Sequence, residues 1–104
     1  AGNALLAALT ELSDGRGQLL VHTEAPWSSA TFSGARHTFE IAFLGNTGVA
    51  AGEALIAALP DHEFTIAGQL VAEANVTFAE SRPGNGVTLP ELTVTCELLL
   101  LEDS

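Results

Sequence analysis

Residues Ala1–Leu9 read AGNALLAAL and residues Ala51–Leu59 read AGEALIAAL, so seven of nine letters recur at an offset of 50. A second echo, Gly17-Gln18-Leu19-Leu20 against Gly68-Gln69-Leu70-Val71, follows one residue out of step. Two copies at a period near 50 describe a domain built from two related halves rather than a solenoid, which needs three or more repeats. Shared helix-favouring composition is the competing explanation of the echo. In each copy the apolar letters keep helical spacing, Leu5, Leu9 and Leu12 in the first and Leu55, Ile56 and Leu59 in the second, and runs alternating with period two come after them. Each half reads as one helix and two strands. The pattern predicts a single domain over residues 1–104, α+β in the order α-β-β-α-β-β. Its pseudo-repeats, 1–45 and 51–103, share one antiparallel sheet with both helices on one face.

Local signals place the elements. Asn3 is a good N-cap for a helix to Leu12, and Ser13-Asp14-Gly15 supplies its stop. A strand from Gln18 to Ala25 is expected to end before Pro26, whose ring nitrogen cannot serve a central ladder, with a loop from Pro26 to Gly34. The next strand, Ala35 to Leu44, sets His37, Phe39, Ile41 and Phe43 on one face and Arg36, Thr38 and Glu40 on the other. Thr47 in the turn Gly45–Gly48 is the expected N-cap of a second helix that Pro60 closes near Leu59. Phe64–Ile66 is read as the start of a strand, with Ala67-Gly68 a turn or bulge before Gln69–Glu80, where Leu70, Ala72, Ala74, Val76 and Phe78 would share a face. Ser81–Gly86 is a hairpin loop. The last strand, Thr88 to Glu102, points Leu92, Val94, Cys96, Leu98 and Leu100 inward, and Leu99 and Leu101 make its far end apolar on both faces.

Composition narrows the function classes. The chain is 47% hydrophobic and 15% charged, which is a folding composition. No run approaches the ~20 apolar residues that span a bilayer, and no basic segment leads into an apolar one at the start, so a soluble, unexported, cytoplasmic protein is expected. The lone Cys96 has no internal disulfide partner. Thirteen carboxylates face Arg16, Arg36 and Arg82 with no lysine, a formal charge of −10. Such a surface repels phosphate backbones and anionic lipid, so neither nucleic acid nor membrane is an expected partner.

No motif for catalysis stands out. No Gly-x-Ser-x-Gly elbow accompanies Ser28, Ser29 or Ser33, Gly45-x-x-Gly48 lacks a following lysine, and Cys96 falls on an apolar strand face where a thiol is inert. No cofactor or metal is expected, and no catalytic residue. His22, Glu24 and His37 have the side chains for metal ligation or acid-base work, but His22 and Glu24 belong to one strand and His37 to the next, so nothing in their spacing joins them. They are the polar centre of the second reading, a small ligand- or metal-binding domain, or an enzyme, using the sheet face and the Trp27 loop. The first reading is self-association. A doubly apolar strand end at Leu99 and Leu101 is either sandwiched inside the domain or covered by a partner, and alanine faces that include Ala54 and Ala58 allow close approach of another backbone. Trp27, the one large aromatic in the expected loop, is a candidate contact residue whose other reading is a core anchor folded back over the sheet.

From Ser29 onward the chain resembles the tail-terminator, or tail-completion, proteins of tailed phages and gene transfer agents. The residues that carry the likeness are Gly34-Ala35-x-His37-x-Phe39 before a helix, Gly68-x-Leu70-Val71 after it, the Arg82 loop, and a final strand ending in Glu102-Asp103. The resemblance implies a non-enzymatic homo-oligomer that caps a tail tube as a ring, meets other tail or virion proteins, and resides in a phage-like particle. It also implies strand edges and helix faces as subunit contacts.

Overall fold

The computed structural model describes residues 2–66 and 68–102. The elements run α1 (Gly2–Leu12), β1 (Gln18–Ser28), β2 (Ser33–Leu44), α2 (Gly45–Ala58), a 3-10 turn (Leu59–Asp61), β3 (Gln69–Arg82) and β4 (Glu91–Glu102). This is the α-β-β-α-β-β order, and the four strands form one antiparallel sheet in the order β1-β2-β4-β3. Each half thus sends its second strand to the centre and its first to an edge. Ala1, Ala67 and Asp103, which belong to the first repeat, the expected turn and the terminal motif, lie outside the described residues.

The core forms on one face of the sheet. Alternation in β2 and β4 buries Phe39, Ile41 and Phe43 beside Leu92, Val94, Cys96, Leu98 and Leu100, and Leu5 and Leu9 of α1 with Leu55 of α2 and Leu59 close over them. Both helices therefore cover the same face. Each fully buried Leu or Phe contributes roughly 1.5–3 kcal/mol relative to exposure, so this layer dominates stability. Residues 4–9 and 54–59 repeat the same order of exposed, buried and half-buried positions, with Leu5 matching Leu55 and Leu9 matching Leu59. The alanine faces remain outward: Ala54 is exposed and Ala58 half-buried.

Several local expectations are corrected. β1 does not stop at Ala25 but carries Pro26 on to Ser28, which the sheet tolerates because β1 is an edge strand with one row of backbone groups unpaired. The expected nine-residue loop shrinks to a tight hairpin, in which the Ser29 hydroxyl accepts from the amides of Thr31 and Phe32. α2 begins at Gly45, whose φ of 76° favours glycine, and the Gly45 amide donates to the Pro90 carbonyl at 2.9 Å. Leu44, not Thr47, stands at the N-cap, with no side-chain cap. Phe64–Ile66 makes a single bridge, Ile66 to Gln69, and no strand. β4 starts at Glu91 rather than Thr88.

The face of β3 also differs. Register shifts between Val71 and Glu73 and between Val76 and Phe78 each insert one residue, so parity flips twice along the strand. Val71, Ala74 and Val76 pack on the core, while Leu70 opposite Leu101 and Phe78 opposite Thr95 point away from it. β1 has a similar shift between Leu19 and Val21. Both edges are therefore interrupted, β1 by its bulge and Pro26 and β3 by two bulges, which blocks continuous strand addition.

Candidate functional site

The β1–β2 register assembles what linear spacing kept apart. Glu24 stands directly opposite His37, and His22 opposite Phe39, all on the helix-facing side of the sheet. Among the described residues these three offer ligand atoms that all lie within 4.8 Å of one another. His22 Nε2 is 3.0 Å from His37 Nδ1, one ring donating and the other accepting, and a Glu24 oxygen is 3.9 Å from the same Nδ1. The His22 ring stacks on Phe39 with centroids 4.4 Å apart, which fixes its plane. His37 is fully buried, whereas His22 and Glu24 are open to solvent.

Burial holds the His37 pKa below its ordinary value, an effect that the Glu24 carboxylate opposes and His22 reinforces. The neutral ring is the native form. Unfolded His37 takes up a proton from about pH 6.5 downward while the folded ring resists, so its contribution to stability is complete above that pH and lost as pH falls through the lower folded value. A urea midpoint that drops from pH 7.5 to pH 5 is the expected result, with a shallower drop in His37→Phe. Equal slopes in the two proteins would remove His37 as the source. Cys96 is buried beneath the helices with its thiol pushed up to about 11, so it is a packing residue and not a nucleophile.

The expected contact residues fall into two groups. Leu99 and Leu101 are 4% and 7% exposed and so are covered by their own chain. Arg36 on β2 and Glu73 on β3 flank Leu99 on the outer face, and their charges meet at 3.6 Å, with Glu97 3.3 Å from the same guanidinium nitrogen. Trp27 is half-buried in β1, opposite Gly34, on the row that ends at Leu101 and Leu70.

Exposed apolar groups lie elsewhere, at positions that composition alone did not single out. Val87 and Leu89, 94% and 66% exposed, occupy the β3–β4 loop, which the Arg82–Glu91 ion pair closes and the Asn85 side chain shapes by accepting from the Val87 and Thr88 amides. Phe32 tips the β1–β2 hairpin at the opposite end of a molecule 54 Å long. Leu20, Leu44 and Phe78 line a concavity of about 570 Å³ on the outer sheet face, together with Glu40, Glu80, Glu91 and Arg82. The loop residues are too close to a turn for periodicity to mark them, and the concavity depends on the bulges.

No protein-family model matches the chain, and no curated protein does. Among solved structures it is similar to a chain in the virion of a native gene transfer agent particle, with a TM-score of 0.64 at 19% identity, covering 96% of this chain and 90% of that one. The two share a fold. The likeness covers nearly the whole chain, so both helices and all four strands fall within the shared architecture. Among the described residues no helix is long and apolar enough to cross a membrane.

Proposed function

We propose that this chain is a non-enzymatic structural subunit of a phage-like particle, a tail terminator or tail-assembly protein that works by self-association. The observation that carries the reading is the nearly end-to-end fold likeness to a chain of a gene transfer agent virion. The surface supports it. Apolar tips at opposite ends of an elongated body suit head-to-tail contacts, which close into a ring when the rotation between copies permits. Interrupted edges turn the subunit contacts away from strand addition and toward tips and faces. Val87, Leu89 and the outer-face concavity are the assigned contact, with Trp27, Ala54 and Ala58 as separate further contact surface and Leu99 and Leu101 left to internal packing. The matching burial of the two Ala/Leu helices supports descent of the halves from one duplicated unit. Other virion proteins are the further partners, and a net charge of −10 keeps nucleic acid off the surface.

Native mass spectrometry at micromolar concentration is expected to find a closed oligomer. Replacing both loop residues, Val87→Asp with Leu89→Asp, removes the apolar anchors and introduces like charge beside an acidic body, weakening assembly by about 2 kcal/mol or more, roughly thirty-fold in Kd. A monomer at every concentration, or an oligomer indifferent to the double substitution, would overturn the assignment.

A further inference from the structure

We propose that His22, Glu24 and His37 form a binding site for a divalent transition metal, zinc by preference, with three protein ligands and one open position. Two imidazoles and a carboxylate are a zinc-type donor set. In tetrahedral coordination with metal–nitrogen bonds of about 2.0–2.1 Å, neighbouring ligand atoms stand about 3.3 Å apart. Two of the three separations, 3.0 Å between His22 Nε2 and His37 Nδ1 and 3.9 Å from that Nδ1 to Glu24, bracket this value, and the third, from His22 to Glu24, is within 4.8 Å. Glu24 is more than half exposed and free to close the remaining distance. The two histidines are held in place, His37 by full burial and His22 by its stack on Phe39.

A second observation concerns the far side of His37. Its Nε2 and the Oε1 of Gln69 are both buried without a partner among the described residues. Both residues line one cavity of about 160 Å³ together with Glu24. One atom supplies a donor when protonated and the other is an acceptor, and a water held in such a cavity satisfies both. That arrangement places the ring proton on Nε2 and leaves the Nδ1 lone pair facing His22 and Glu24, the tautomer a metal ligand requires. Burial also favours the neutral ring, which is the ligating form. Metal entry breaks the histidine–histidine hydrogen bond, the exposed His22 ring passes its Nε2 proton through solvent to Nδ1, and two metal–nitrogen bonds form.

The test uses the full chain with Zn²⁺ in competition with a chromophoric chelator, and Co²⁺ as a spectroscopic probe. One equivalent of Zn²⁺ is expected to bind, with a Co²⁺ visible spectrum of four-coordinate type. Glu24→Gln changes an exposed carboxylate and should keep the wild-type melting curve, and both it and His22→Ala should lose at least ~10-fold in affinity. His62→Ala, outside the cluster, should bind as wild type. Absence of stoichiometric binding, or equal affinity in His22→Ala and wild type, would overturn the site. So would loss of binding in His62→Ala. Because the readout is metal affinity and not mass, its failure leaves the assembly proposal standing.

Discussion

Phe39→Ala is expected to leave the domain near the edge of unfolding, with a loss of about 3–5 kcal/mol in urea denaturation. Phe39 is completely buried at the middle of β2, opposite Cys96 on the neighbouring central strand and under the layer formed by Leu5, Leu9, Leu55 and Leu59. Its ring is also the platform for His22. Truncation therefore opens a cavity where four elements meet and frees the histidine whose plane it sets. A domain of this size has ~5–15 kcal/mol in total, so the change removes a large share. Phe78→Ala is the matched comparison. That ring is exposed on the outer face of the subunit, and its loss should change the stability of the monomer by ~0.5 kcal/mol or less. Comparable midpoints for the two variants would mean that the core lies on the wrong face of the sheet.

Gly34→Ala is expected to lose about 3 kcal/mol, the upper end for overpacking, although it adds a single methyl group. A Cβ at Gly34 would lie 2.9 Å from the Leu101 Cα and closer still to the Leu100 carbonyl oxygen. Both obstacles are backbone of the paired strand, which cannot swing aside as a side chain does. The β2–β4 ladder must open at the row that carries Trp27, Gly34, Leu101 and Leu70. At Gly86, by contrast, an added Cβ meets nothing within 4 Å, so Gly86→Ala should be neutral. Equal thermal midpoints for the two alanine variants would show that the strands can separate there without loss.

The central strands were legible because alternation survives wherever one face is buried: His37 to Phe43 and Leu92 to Leu100 lie as their period predicts. The helices were legible from Leu5, Leu9, Leu55 and Leu59 for the same reason. The edges were not. Pro26 reads as a terminator when the strand's position in the sheet is unknown, and at an edge its missing donor faces outward and does no harm. A loop reading of Pro26–Gly34 leaves the hairpin register undefined, and with it the meeting of Glu24 with His37, since cross-strand neighbours follow from the turn and not from spacing along the chain. The Ser29 hydroxyl, a turn former, was the available signal. Bulges at β3 leave no mark in composition, so parity alone predicts Leu70 and Phe78 on the core side.

β3 uses 14 residues to lie along the 12 of β4, the difference being taken up by its two bulges. Losing one residue at either bulge would draw the strand straight and leave most pairings beyond it undisturbed. The same deletion in β4 has no slack to absorb it and would turn every later leucine over. Length variation among chains of this architecture is thus tolerated at the rim of the sheet and forbidden at its centre, so homologues should align without gaps along β4 and with them along β3.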